Sequence, residues 1–574
     1  MTRLPIRLSA ALLLLAPLAT QAQTTTLAPP SAPTATASQG VVSAADPRAT
    51  AAGQEILRAG GSATDAAIAM VLALGVVEPQ SSGVGGGGLL VHHGGRTGLY
   101  DTLDGRETAP AAARPDRFLG ADGKPLPFVQ AWPGGYSVGV PGTLRLAQAA
   151  HRKWGKLPWP RLFEPAIRLA DQGFVVNARL ENSLKQVAGL WQEFPAIRAL
   201  YSIDGRALRA GDTFRNPALA AFLRRVAADG PDAFYTGDNA RAVAKAVSDA
   251  PRNPVPMTVA DLAGYRAKPR AGVCGPYRAW TVCGMGPPSS GGVTVLQILG
   301  MIERFPIARW GKDDVRTWQV IGEAMRLAYA DRDRYLGDTD FVRVPLTGMI
   351  DRDYLRARSR LIDVAHARGH YEPGVPPGAT PRTVAPSGEV AGTTHFVAVD
   401  GDGDVVSWTN TVESVFGSQL TVNGYILNNE LTDFSFAPEK DGRPVANAVA
   451  AGKRPLSSMS PTIVYDAAGK PVFAIGAAGG RTIIMQVLKA LVAHFDWGLS
   501  AQDSIALGQE FFDKDGLVLE DGTAIAAMKA PLEALGQHVT LAKLGLKANA
   551  AERLPDGRWI GAADPRSPGN SLQQ

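Results

Sequence analysis

Gly392-Thr393-Thr394-His395-Phe396-Val397-Ala398-Val399, then Asp400-Gly401-Asp402-Gly403-Asp404, then Val405-Val406-Ser407-Trp408-Thr409-Asn410-Thr411, is the stretch on which the reading of this 574-residue chain turns. The two outer runs are β-prone. The Asp/Gly run between them is a turn signal, made of residues that tolerate φ > 0. A hairpin centred on Asp402 sets Thr393 opposite Thr411 and His395 opposite Thr409. Directly opposed side chains carry Cβ atoms about 4.5–5.5 Å apart. One hydroxyl therefore stands at the head of a strand with a second beside it.

A threonine hydroxyl is a weak nucleophile unless a base removes its proton. A threonine at a chain N-terminus brings its own base, because a free α-amine titrates at about 7.7–8.0. Exposing that amine requires cleavage of the Gly392–Thr393 bond. Glycine before the bond can hold a strained backbone while the hydroxyl attacks its carbonyl, and the branched Cβ of Thr393 limits χ1 and pre-aims its oxygen.

Four further stretches give the hairpin its context. They are Pro287-Pro288-Ser289-Ser290-Gly291-Gly292, Ile426-Leu427-Asn428-Asn429-Glu430-Leu431-Thr432-Asp433-Phe434, Lys453-Arg454-Pro455-Leu456-Ser457-Ser458-Met459-Ser460-Pro461-Thr462, and Gly476-Ala477-Ala478-Gly479-Gly480. With Gly392 to Phe396, the chain resembles the gamma-glutamyltranspeptidase (glutathione hydrolase) family of the N-terminal-nucleophile hydrolases. The resemblance implies an α+β fold, a four-layer αββα sandwich with helices outside two antiparallel sheets. It implies autocleavage at Gly392–Thr393 into a large chain (39–392, after a lead-in) and a small catalytic chain (393–574) that stay associated. It implies Thr393 as nucleophile, Thr411 as the group that orients it, and Gly479 and Gly480 as oxyanion donors.

The resemblance also implies a binding site for an α-amino acid head group. Arg106 matches the clamp for the α-carboxylate, which a guanidinium fork suits. Glu413, Glu430 and Asp433 match positions that hold the α-ammonium, and Ser457 and Ser458 match serines that hydrogen-bond the carboxylate. The implied substrates are glutathione and other γ-glutamyl donors, with water, an amino acid or a dipeptide as acceptor, and no metal or cofactor. Two departures stand out. Residues 436–453 are shorter than the lid loop of fully lidded members, and Glu413 stands where some members carry Asn. An acylase of the same superfamily acting on glutaryl or cephalosporin side chains, and an unprocessed binding protein on this scaffold, are the competing readings.

Elsewhere the chain reads as an exported globular protein. Residues 1–22 have the basic start, apolar core and Thr20-Gln21-Ala22 end of a signal peptide, so a periplasmic or secreted protein is expected. No apolar run reaches the roughly 20 residues a membrane span needs. Residues 23–38, rich in Thr, Pro and Ala, read as a disordered lead-in. The net charge of +5 falls to +3 without Arg3 and Arg7, and the basic residues are dispersed, which argues against nucleic acid as a partner. Cys274 and Cys283 flank a short apolar run and are expected to form a disulfide in an exported protein.

Ser82-Gly83-Val84-Gly85-Gly86-Gly87-Gly88 lacks the Gly-Lys-Ser/Thr ending of a phosphate loop and reads as tight backbone packing. His92 and His93 are adjacent on a strand, so they point to opposite faces and are poorly placed for one metal. Residues 139–262 read as amphipathic outer helices, and about 364–390 as a loose segment leading to the cut.

Overall fold

The protein is described here from a computed structural model that defines residues 40–384, 392–513 and 516–574. The signal peptide and lead-in expected over residues 1–38 lie outside the described residues, as does the end of the loose segment before the cut. Residues 364–384 contain no helix or strand.

The hairpin forms in the register that a turn about Asp402 requires. Thr393–Val399 pairs antiparallel with Val405–Thr411, Thr393 facing Thr411 and His395 facing Thr409. It lies near the middle of a seven-stranded sheet. The order across that sheet is Asn570–Gln573, Val41–Ala44, Thr393–Val399, Val405–Thr411, Gly87–His93, Tyr100–Gly105 and Lys268–Pro269, all antiparallel. A second, six-stranded antiparallel sheet has the order Trp559–Ala563, Lys547–Arg553, Pro471–Ala478, Thr462–Tyr465, Trp280–Gly284 and Val273–Tyr277.

Period-two alternation sorts the hairpin's side chains into two cores. Phe396, Ala398, Val406 and Trp408 join a core built with helices such as Pro47–Arg58, Ala63–Val77 and Thr143–Trp154. Val397, Val399 and Val405 turn the other way, against Ile463, Ile475 and Ala550 of the second sheet. That sheet is covered in turn by Gly291–Ile302, Val315–Tyr335 and Thr482–Phe495. Both sheets are thus buried on two faces, giving four layers in the order αββα. Where they meet at the hairpin, Gly476 backs onto the His395 ring; a Cβ there would lie 2.4 Å from the imidazole.

Helix Ala63–Val77 opens on a capping box between Ser62 and Asp65 and is buried along nearly its whole length. Its small residues let it lie close to the hairpin strands. Cys274 and Cys283 are directly paired across two neighbouring strands and joined by a disulfide, with Cα atoms 4.1 Å apart. Among the described residues, no helix is long and apolar enough to cross a membrane.

Candidate active site

The side chains of Thr393 and Thr411 point into the space between the sheets, at its edge. Thr393 Oγ1 donates to Thr411 Oγ1 at 3.3 Å, and Thr411 Oγ1 donates to the carbonyl oxygen of Gly392 at 3.0 Å. The backbone N–H of Glu413 donates to Thr411 Oγ1 at 2.8 Å. Glu413 reaches this position with φ = 78°, a left-handed conformation that a non-glycine residue adopts at a cost of order 1–3 kcal/mol. The strained turn therefore fixes the hydroxyl that faces both Thr393 and the bond before it.

Gly392 is required by space. A Cβ on it would sit 2.0 Å from the carbonyl oxygen of Glu413. The Gly83–Gly88 run packs as its sequence suggests: a Cβ on Gly85 or Gly86 would overlap the carbonyl of Ile426 or Thr411. Backbone packed this closely pins the hairpin end against residues 426–433.

Gly479 and Gly480 follow strand Pro471–Ala478 with φ of 134° and 57°. Gln486 donates to the Ala478 carbonyl at 2.7 Å and Thr482 to the Gly479 carbonyl at 2.8 Å. In a trans peptide the N–H points opposite to the C=O, so the N–H groups of Gly479 and Gly480 face away from these two helix side chains. Gly479 and Thr393 line one cleft of about 490 Å³.

A charged cluster forms the second part of the site. Arg106, at the end of strand Tyr100–Gly105, is buried and ion-paired with both Glu430 and Asp433. Its guanidinium also donates to the carbonyls of Pro455 at 3.3 Å and Leu456 at 2.7 Å. Glu413, Glu430 and Asp433 bring carboxylate oxygens within 4.8 Å of one another. That spacing suits a cation, and Arg106 is one cation among them. Oε2 of Glu430 is buried with no hydrogen-bond partner among the described residues, an arrangement that favours a further N–H donor. Burial pushes the neighbouring Glu107 up to about 8, against the pull of the Arg106 charge.

Ser457 and Ser458 follow directly on the carbonyls that hold Arg106. The Ser457 backbone is pinned to the 287–292 turn, its N–H donating to Pro288 O at 3.0 Å and its carbonyl accepting from Ser290 N at 2.7 Å. Ser458 Oγ accepts from Arg332 at 3.0 Å. Arg332, buried on the long helix Val315–Tyr335, had no sequence signal beyond an arginine on a helix.

A second pair escaped sequence reasoning. Thr394, facing the helices, donates to Glu78 Oε2 at 3.1 Å, and Lys547 Nζ donates to the same oxygen at 2.9 Å. Both ionic groups are about 1% exposed. Desolvation is the largest influence on Glu78 and opposes its charge, but Lys547, Arg179 and the Thr394 hydrogen bond together outweigh it and hold the carboxyl below its ordinary value. Burial lowers Lys547 to about 8. No motif announces this pair; its partners are separated by 469 positions.

The histidines stay outside the chemistry. Burial lowers His395 to about 3, and its Nδ1 pairs with Thr409 Oγ1 at 2.8 Å. His92 stacks on Trp154 at 4.0 Å, while His93 tilts against Tyr465 on the opposite face.

The family model Gamma-glutamyltranspeptidase matches residues 49–573. A glutathione hydrolase proenzyme of Bacillus subtilis (strain 168) is 38% identical, covering 81% of this chain and 79% of that protein. One from Escherichia coli (strain K12) is 37% identical over 92% of this chain and 91% of its own length. Among solved structures, a cephalosporin acylase from Bacillus halodurans superposes with a TM-score of 0.83 at 25% identity, covering 94% of this chain and 96% of that one. The gamma-glutamyltranspeptidase of Helicobacter pylori gives 0.53 at 33% identity, covering 58% of this chain and 91% of that one. With the family model matched over nearly the whole described chain, this protein belongs to the gamma-glutamyltranspeptidase family and has the fold of the N-terminal-nucleophile hydrolases.

Proposed function

We propose that the chain is a precursor that cuts itself before Thr393 and then acts as a γ-glutamyl hydrolase and transferase on glutathione and related γ-glutamyl compounds. The observation that carries this reading is the hydroxyl pair Thr393–Thr411 at the scissile carbonyl, with an arginine and three carboxylates at the neighbouring loop.

In the cut, Thr393 Oγ1 attacks the Gly392 carbonyl carbon, with Thr411 donating to its oxygen. The C–N bond breaks as the C–Oγ bond forms, and the proton ends on the freed amine of Thr393. Water hydrolyses the ester and leaves chains ending at Gly392 and beginning at Thr393. A signal peptide over residues 1–22 would then give a large chain of about 23–392 beside a small chain of 393–574, in the periplasm or outside the cell.

In turnover, Thr393 Oγ attacks the γ-amide carbon and its own α-amine takes the proton. Gly479 and Gly480 stabilise the oxyanion. The C–N bond breaks, the α-ammonium protonates the leaving amine, and a γ-glutamyl ester remains on Thr393. Water, an amino acid or a dipeptide then attacks, passes a proton to the α-amine, and the ester bond breaks to restore the hydroxyl. Arg106 and Ser457–Ser458 meet the substrate's carboxylate, and Glu413, Glu430 and Asp433 its ammonium.

An acylase activity is the second reading. It is favoured by the cephalosporin acylase likeness and by an Acylase ACY 1 proenzyme of Pseudomonas sp. (strain SE83), 33% identical over 94% of both chains. The acids around Arg106 argue for the γ-glutamyl reading, since a glutaryl group has no ammonium to meet them. N-terminal sequencing and paired anilide assays decide the matter. The expected result is a chain beginning Thr-Thr-His-Phe, γ-glutamyl anilide cleaved in preference to glutaryl anilide, and Thr393→Ala left as one inactive chain. An active Thr393→Ala protein would falsify the proposal.

A further inference from the structure

The cleft that Thr393 shares with Gly479 is separate from the charged cluster: none of Arg106, Glu413, Glu430 or Asp433 lines it. One of its walls is a single helix face. Arg179, Asn182, Ser183 and Gln186 all line the cleft, and they lie on helix Ala178–Val187 at the i, i+3, i+4, i+7 spacing that defines one face. The nucleophile thus borders a polar environment distinct from the charged cluster around Arg106.

Two arginines reach the cleft, and they differ in their commitments. Arg566 is held by Glu520 on one side and by Asp564 at 3.0 Å on the other. Arg179 is half-buried and forms no ion pair among the described residues. Its charge is felt by Glu78 and Lys547, but the Glu78 carboxylate is in ion-pair contact with Lys547 at 2.9 Å. A guanidinium in a walled cleft with no carboxylate in ion-pair contact among the described residues is suited to one supplied by a ligand.

Resting on the reading of the protein as a γ-glutamyl enzyme, we propose that Arg179 binds the terminal carboxylate of the peptide released from the donor, and of the amino acid or peptide that replaces it as acceptor. Asn182 and Gln186, one and two turns along the same face, supply amide groups for the peptide unit between that carboxylate and the reacting nitrogen. Arg179 is then a specificity-determining residue for the leaving side, as Arg106 is for the γ-glutamyl side.

The test compares kcat/KM of the mature enzyme for glutathione and for glutathione amidated at its C-terminal glycine. These donors share the γ-glutamyl head and differ in the one carboxylate. Wild type is expected to prefer the free acid by about tenfold or more, the scale of a charge-assisted hydrogen bond. Arg179→Ala should bring the ratio close to one, and Arg179→Lys should restore part of it. Glycylglycine and its amide as acceptors should show the same pattern. An equal rate on both donors in wild type, or an unchanged ratio in Arg179→Ala, overturns the proposal. If Arg179→Ala fails to mature, the wild-type ratio and the lysine variant still decide it. Failure of wild type to cleave either donor or any γ-glutamyl anilide would instead refute the underlying assignment, and the proposal with it.

Discussion

The hydroxyl of Thr411 lies 3.0 Å from the carbonyl oxygen of Gly392 and donates to it. This places a hydrogen-bond donor on the bond proposed to be broken, while Thr411 Oγ1 itself accepts from Thr393. Removing one donor from a developing oxyanion costs about 2.7–4 kcal/mol, or about 10²–10³ in rate. Thr411→Val, close to isosteric, should slow precursor cleavage by that order, and Thr411→Ser should keep most of it. The decay of the full-length band on denaturing gels gives both rates.

Gly392→Ala adds a methyl 2.0 Å from a backbone oxygen that has no freedom to yield. The bond must shift away from Thr411, so cleavage should slow markedly. Thermal denaturation of the uncut variant should also fall below that of uncut Thr393→Ala, which keeps the glycine. Equal melting temperatures and prompt cutting would show that the contact is relieved elsewhere.

Asp433→Asn leaves Arg106 paired with Glu430 but removes one of the carboxylates proposed to receive the ammonium. KM for a γ-glutamyl anilide should rise by tenfold or more, the range of a charged hydrogen bond. The residual activity on a glutaryl anilide should change much less. Parallel losses on both anilides would assign Asp433 to holding Arg106 alone.

Glu107 gives a pH dependence of stability. Its carboxyl is buried and raised to about 8 from an ordinary 4.5. Between these values the folded state keeps a proton that the unfolded state releases, so this group's contribution falls as pH rises through the window. Glu107→Gln removes the titration. The melting temperature of the variant relative to wild type should therefore rise from pH 5 to pH 8. A constant difference would place the carboxyl's titration below that window.

Lys547 and Glu78 are buried together, and breaking such a pair from one side typically costs about 3–5 kcal/mol. Lys547→Met and Glu78→Gln should each destabilise strongly, and the double variant should be less destabilised than their sum. Because Glu78 also accepts from Thr394, precursor cleavage should slow in the Glu78 variant. Denaturant unfolding of the uncut Thr393→Ala background gives the cycle.

The hairpin was legible because its signals are local: alternation in both strands and an Asp/Gly turn favour the register centred on Asp402, which the strand pairing has. The close packing of the Gly83–Gly88 run was legible for a similar reason, since its lack of a Lys-Ser/Thr ending removed the phosphate reading. The pairing of Arg106 with Glu430 and Asp433 was only partly visible. Sequence supplied opposite charges for a ligand, but gave no sign that they pair with each other in the fold. Arg332 and the Glu78–Lys547 pair were invisible, as both depend on which helices and strands meet in space. The polar face of helix Ala178–Val187 was read as an outer helix without chemistry, because helical periodicity identifies a face but not what lies opposite it.

Strand Val41–Ala44 has Thr393–Val399 on one side and Asn570–Gln573 on the other. A segment from before the cut thus lies between two from after it, within one sheet. A cut at Gly392–Thr393 would release no fragment, because separating the products means tearing two ladders of hydrogen bonds and both buried cores. The covalent link matters earlier, when it keeps the late strands at high local concentration around the early one. Fragments 40–392 and 393–574 made separately would each begin with a gap where the other's strand belongs, so a chain cut at this bond would have to assemble before it is severed.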